Sequence, residues 1–407
     1  MRLLLLVVGV LGFLVLVRLL FFFLLQPPVS THYSGTVTLF DEPKRYSYYQ
    51  SFWVDDIEIQ APKYPQFHYG DTISITGTIE LKEYTQENGK VVVKHVVKDP
   101  DIHQELSPII IRASSHIRSR IIETLSQTTD ADAAALLLGI TLGVQEGFSS
   151  ELYDRFRLVG ILHVVAASGS NVALLAGVLM GIFSLVLHRK HAIIGTGLLL
   201  AWYAVLSGLD PAILRATCMA LVVFSAQLLG RQSSALFSLY IVSCGLLLAS
   251  PTLIQDIGFQ LSVMATLGII LGKSLLDRIG LFKLFRFFRD DITTTLAATW
   301  GSLPILIWQF GTFAPLGILV NVFVLWTVPV LMIIGMIASV MSLVFPPVAA
   351  VCMYLAYPLL IYFLFVAEQA ESVVSAIEFP IFSWMITISY GLISASILLY
   401  LRRKDAT

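Results

Sequence analysis

The sequence predicts a membrane α-helical bundle of about ten transmembrane helices, with a small extracytoplasmic OB-like β-barrel domain near its N-terminus. Three observations predict it. Hydrophobic residues make up 57% of the chain, well above the share in soluble globular domains. Apolar runs long enough to cross a ~30 Å hydrocarbon core recur along most of its length. After the first run, about seventy residues instead alternate apolar and polar positions between Gly, Pro, Asn and Asp turns, the pattern of short strands. The formal net charge is −1, so no global basic field advertises a nucleic-acid partner, and any such reading has to rest on local features. Cys218, Cys244 and Cys352 lie in apolar runs without CxxC or Cys/His spacing. They read as core residues, with no disulfide framework, metal site or cofactor implied.

In chain order, residues 1–27 form the first span. Leu3 to Leu25 is nearly unbroken Leu, Val and Phe, too long for a signal-peptide core and without a small-x-small cleavage site after it, so an uncleaved helix is expected. Arg18 within it faces other helices or snorkels. Residues 34–106 form the β domain, with four or five strands and a "G-D-x-I-x-I-x-G-x-I" entry at Gly70-Asp71. Its aromatic cluster offers Tyr48, Phe52 and Trp53 as stacking candidates for single-stranded bases. An excess of acidic over basic residues in this domain opposes a phosphate backbone, so core and interface packing is the favoured role for the same rings.

Residues 108–158 supply short helices. Ile109, Ile110, Ile117, Ile121, Ile122 and Leu125 form one stripe and Arg112, Arg118 and Arg120 another, which predicts an amphipathic surface helix. Thr129-Asp130 caps Ala131 to Leu142, too short to span and so re-entrant or packed beneath its neighbours. Ser149 opens a further short helix to about Leu158.

Residues 159–402 form the polytopic domain, with spans at 160–187, 192–207, 212–229, 235–249, 256–272, 292–311, 316–344, 348–367 and 383–401. Lys and Arg collect in alternate loops, at 188–190, 230–231, 273–289 and 402–404, and are absent from the loops between them. The positive-inside rule then places both termini in the cytoplasm and the β domain outside. The basic amphipathic stretch 273–289 suits anionic lipid on the cytoplasmic side.

The first of these spans is interrupted. Within V-G-I-L-H-V-V-A-A-S-G-S-N-V-A-L-L-A-G, residues 159–177, small polar residues break the helix. Broken backbone is tolerated in a membrane only where protein buries it or it lines a wet cavity, although Ala, Ser and Gly also serve close helix packing. His163, Ser168, Gly169, Ser170 and Asn171 are therefore candidate pathway residues. Asp210, Arg215, Gln260 and Asn321 join them as polar groups in or at the ends of spans. Asp210 and Arg215 are close enough to form a structural ion pair, and the Gln260 amide can serve backbone carbonyls or a permeating group. A Ser-His hydrolase is disfavoured because His163 and Ser168 share one helix at a spacing that does not bring them together, and no catalytic residue is assigned.

The run F-S-S-E-L-Y-D-R-F-R-L-V-G-I-L-H-V-V-A-A-S-G-S-N-V (148–172), with L-L-L-G before it, resembles the membrane domain of the ComEC competence-protein family. D-P-A-I-L-R-A-T-C-M-A (210–220), D-I-G-F-Q-L-S-V-M-A-T-L-G-I-I (256–270) and L-P-I-L-I-W-Q-F-G…L-G-I-L-V-N (303–321) follow in the same order. The resemblance implies a cell-membrane channel that admits single-stranded DNA during natural transformation. The partners it implies are single-stranded DNA, a cytoplasmic helicase-like ATPase and an outer DNA receptor; membrane lipid follows from the apolar spans, and whether further copies of the chain join it is left open by the sequence. Fuller members carry a metallo-β-lactamase-like domain that has no counterpart in these 407 residues. A short form is therefore expected, with nuclease work left to a separate protein. The family's usual Gly-His after Ser-Gly is here Ser170-Asn171, which keeps hydrogen bonding and loses a titratable group. A transporter for another polar solute, with the β domain as receptor or lid, is the alternative; an intramembrane serine hydrolase ranks below both.

Overall fold

A computed structural model describes residues 2–24, 32–40, 42–54, 57–85, 91–145, 147–165, 168–232, 234–279, 289–310, 312–313, 317–372 and 377–378. The expected span 383–401, Ala166 and Ala167 of the helix break, and most of the basic stretch beyond residue 279 lie outside the described residues.

The first helix, α1 (Arg2–Leu24), is apolar all round. It packs on α9 (Ala235–Ala249), where the Tyr240 hydroxyl donates to the Val8 carbonyl at 2.7 Å. The β domain comprises β1 (His32–Thr38), β2 (Lys44–Arg45), β3 (Tyr49–Val54), β4 (Ile57–Pro62), β5 (Thr72–Thr85), β6 (Val91–Lys98) and β7 (Asp101–Glu105). They make one seven-stranded sheet in the order β1-β5-β6-β4-β3-β2, with β7 on β5. The expected OB-like barrel is corrected on this point, because among the described residues no pairing joins β1 to β2 and the sheet stays open. The β4–β6 pairing is parallel, and the long β5 is shared by β1, β6 and β7. Alternation directs Phe52, Val54, Ile59, Ile73 and Ile75 into its core.

Next come α2 (Ile109–Ser126), α3 (Ala131–Leu142) and α4 (Ser150–Val159). Every residue of α3 from Ala133 to Leu142 is buried. A helix that is apolar all round is stable only when neighbours cover every face, and α2, α13 (Thr327–Val344) and α14 (Pro346–Glu371) do so here. Gly143, at φ 72°, closes α3 in the left-handed conformation that glycine adopts without steric cost. The Ser149 hydroxyl accepts from the Leu152 N–H and starts α4 as its sequence requires. Arg155 on α4 then pairs with Glu371 of α14 at 2.7 Å and Glu151 at 3.2 Å.

The remaining bundle contains α5 (Leu162–Val165), α6 (Gly169–Val186), α7 (Arg189–Leu206), α8 (Pro211–Leu228), α10 (Ile257–Ile279), α11 (Arg289–Phe310) and α12 (Gly317–Leu325). Among the described residues five candidate spans are long and apolar enough to cross a membrane: Pro211–Leu228, Ile257–Leu276, Thr327–Val344, Pro346–Glu371, and the pair α5 and α6 taken together over Leu162–Val186. The expected single span over 316–344 is two helices, broken at Trp326. Pro329 accounts for the break, since proline fits the first turn of a helix and disrupts an interior.

The β domain sits on the α7–α8 connection. The Tyr69 hydroxyl donates to the Val205 carbonyl, and Arg118 Nη1 donates to the Leu206 carbonyl at 3.0 Å. The Arg118 guanidinium also lies 4.6 Å from the Tyr69 ring centre. Arg118 is therefore buried and not part of an exposed basic stripe. The buried face of α2 is Ser114, Arg118, Ile121 and Leu125, whereas Ile109 and Ile110 are exposed.

Candidate functional site

The helix break has the expected place. α5 ends at Val165, Ser168 is extended at φ −119° and ψ 168°, and α6 begins at Gly169. The Ser168 side chain does not cap its own helix. Its hydroxyl lies 2.7 Å from that of Ser170 and 3.3 Å from Asn171 Oδ1.

Asn171 is buried, and its Nδ2 donates to the Ile140 carbonyl of α3 at 2.8 Å. The last carbonyls of any helix lack intrahelical donors. On α3 the neighbouring Thr141 carbonyl is taken by the Tyr203 hydroxyl at 2.8 Å, while the N–H groups of Gly143 and Val144 serve Gly139 and Leu138. Asn171 thus joins the broken helix to the buried end of α3, and one of its two amide N–H groups is committed to that bond.

Arg215 lies one turn into α8 and is only 5% exposed. A Cβ added at Gly169 would stand 3.0 Å from its Nη2, so the guanidinium lies against the first residue of α6. Its Nη1 donates to the Thr266 hydroxyl of α10 and lies 3.6 Å from Met219 Sδ. Its Nε is buried without an acceptor. Ser168, Gly169, Ser170, Asn171 and Arg215 therefore form one cluster, to which the structure adds Thr266 and Ile140.

The other candidates lie elsewhere. Asp210 caps α8, accepting from the N–H groups of Ala212 and Ile213 at 2.8 and 3.4 Å. The anticipated Asp210–Arg215 ion pair is corrected, because the carboxylate is turned onto its own helix end. Gln260 donates to the Ile254 carbonyl at 2.6 Å, which is the backbone role open to it. Asn321 is buried on α12 with an unpartnered Oδ1. His163 is exposed on α5. In the β domain Tyr48 is 89% and Trp53 50% exposed, but Phe52 is buried against Phe67. Phe52 is therefore corrected from stacking candidate to core residue, since it alternates with the outward Trp53. Among the described residues no three His, Cys, Asp or Glu side chains converge on a metal-binding arrangement.

Sequence reasoning missed Thr266, Tyr203, Tyr69 and the inward turn of Arg118. For Arg118 the signal was present, because Ser114, Arg118, Ile121 and Leu125 recur at helical spacing.

Comparison with known proteins adds the following. The sequence pattern of the family described as Competence protein matches residues 140–404. ComE operon protein 3 of Bacillus subtilis (strain 168) is 27% identical over 289 residues, which cover 67% of this chain. The match extends over 36% of that relative's own length. No solved structure matches the chain.

Proposed function

Since the chain belongs to the competence protein family, whose pattern covers residues 140–404, we propose that it forms a membrane passage admitting single-stranded DNA during natural transformation. The observation that carries this reading is the cluster at the helix break. A buried arginine that has no carboxylate partner among the described residues lies against interrupted backbone lined by serine hydroxyls. Polar groups and broken helices inside membrane proteins accompany substrate pathways, because each is costly unless a polar substrate or water compensates it.

In this reading Ser168, Gly169, Ser170 and Arg215 line the passage, and Asn171 fixes their position through α3. His163, Asp210, Gln260 and Asn321 stand around it. Tyr48 and Trp53 present exposed rings on the β domain, which suit stacking of unpaired bases before entry. About ten crossings put both termini in the cytoplasm and the β domain outside. The contact of Tyr69 and Arg118 with the α7–α8 connection supports this, because the lysine- and arginine-free loop 207–211 and the β domain then share one side. A cytoplasmic helicase-like ATPase supplies the driving force and an outer receptor delivers the DNA.

The test is transformation with labelled DNA in cells whose chain carries Ser168→Leu, Asn171→Leu or Arg215→Leu, each at normal membrane abundance. Uptake is expected to fall at least about tenfold for Arg215→Leu, which loses a charge-assisted contact. Normal uptake in all three variants excludes this stretch from the passage. The Ser168 hydroxyl bonds Ser170 and Asn171, not an imidazole, so no reaction with serine-directed fluorophosphonates is expected.

A further inference from the structure

Three helices that begin on the same side of the bundle meet around Arg215, and they treat their N-termini differently. An N-terminus carries a partial positive charge, which an anion relieves. On α8 the Asp210 carboxylate fills that role, and on α10 Asp256 Oδ1 accepts from the Phe259 N–H at 2.6 Å. On α6 the hydroxyl at the cap position is turned towards Ser170 and Asn171. What stands at this positive end is another cation, with the Arg215 guanidinium packed on Gly169.

Among the described residues no carboxylate neutralises that guanidinium. Its contacts are a threonine hydroxyl and a thioether, its Nε has no acceptor, and it is 95% withdrawn from solvent. Two positive potentials at one point in a low-dielectric interior repel each other, and a buried unpaired charge is strongly unfavourable. A visiting anion removes both costs.

We propose that Arg215, the Thr266 hydroxyl and the N-terminus of α6 at Gly169–Ser170 form a binding site for one phosphodiester group. The inference rests on the DNA-passage reading and extends it to a residue-level contact. A guanidinium presents its N–H groups as a planar fork that matches two oxygens of a phosphodiester, and the exposed Ser170 gives access from the open side. Thr266 holds Nη1, so the fork is oriented before the anion arrives. A single cation grips one linkage at a time, which lets a strand leave as well as enter. Phospholipid headgroups share the phosphodiester chemistry, and the experiment separates the two sources.

The full chain is purified in a phosphate-free maltoside detergent. Binding is measured for a fluorescent thymidine hexanucleotide, for its uncharged methylphosphonate analogue and for short-chain phosphatidylglycerol. The wild-type chain is expected to prefer the hexanucleotide over the methylphosphonate by about tenfold or more, and Arg215→Gln to abolish that preference. Arg215→Lys keeps the charge but not the fork and falls between them. Gly169→Ala, which places a good helix former at the start of α6, is expected to weaken hexanucleotide binding by displacing Nη2. Equal binding of hexanucleotide and methylphosphonate by the wild-type chain overturns the site, as does unchanged binding in both Arg215→Gln and Gly169→Ala. Arg215-dependent binding of phosphatidylglycerol without hexanucleotide binding retains the phosphodiester site and removes its support for DNA passage. Loss of transformation in chain-deleted cells, combined with no Arg215-dependent binding of any probe, retains the function and overturns the site.

Discussion

Asn171 is a single side chain holding two elements in register. Its Nδ2 satisfies a carbonyl at the end of α3, and its Oδ1 accepts from the serines of the break. Asn171→Leu leaves the Ile140 carbonyl unpaired inside the bundle and is expected to destabilise the protein by roughly 1–3 kcal/mol. Thermal unfolding in detergent measures this, and an unchanged midpoint would mean that the bond contributes nothing. A polar residue within a span was legible in the sequence. Its partner was not, because a backbone carbonyl on another helix carries no residue-type signal. Arg118 shows the reverse failure. Its charge suggested exposure, but its position on the Ser114–Leu125 stripe placed it inside, where Leu206 and Tyr69 accept it. Arginine is suited to that position because its long apolar stem can be buried while the fork finds acceptors.

At the scale of elements, α10 and α11 approach each other closely. Gly268 and Gly301 face one another there, and a Cβ on either would run into the partner helix's backbone. Small residues allow two membrane helices to approach closely and gain dispersion contacts along their length. Gly301→Leu is therefore expected to force the pair apart and lower the unfolding midpoint sharply. Gly177→Leu, where nothing lies within 4 Å of the added atom, is expected to stay within about 0.5 kcal/mol of wild type. Equal midpoints for the two variants would refute this account of the α10–α11 contact. Short elements with strong end signals were the most legible. The expected helix from Ala131 to Leu142 has those bounds in the structure and closes at Gly143, but the Asp130 side chain makes no cap bond and instead accepts from the Tyr357 hydroxyl. Continuous apolar runs hid the breaks within them, as at Trp326, because hydropathy averages over a turn while Pro329 acts at one residue.

At the scale of the whole molecule, the β domain and the bundle meet at a small contact with little tolerance. Gly208 has φ +91°, and a Cβ there would stand 2.6 Å from the Phe40 carbonyl oxygen. Backbone strain and collision therefore act together against any larger residue. The Tyr69 hydroxyl, the Arg118 guanidinium of α2 and Gly208 all converge on residues 205–208, so this loop is one anchor of the β domain, beside the packing of Gly70 against Ser115 of α2. This contact was invisible in the sequence, since it joins positions far apart and uses backbone atoms as acceptors. Gly208→Val should push the β domain off the loop while leaving the α10–α11 pair intact. Hydrogen exchange followed by mass spectrometry is expected to show faster exchange in peptides from 66–72 and 203–209, with peptides from 262–270 and 295–303 unchanged. Uniformly faster exchange would mean that the loop supports the entire bundle, and no change would mean that the domain is held elsewhere. If the β domain hands a strand to the helix break, the same variant should also lower DNA uptake at normal membrane abundance. The two measurements together separate a loosened domain from a collapsed bundle.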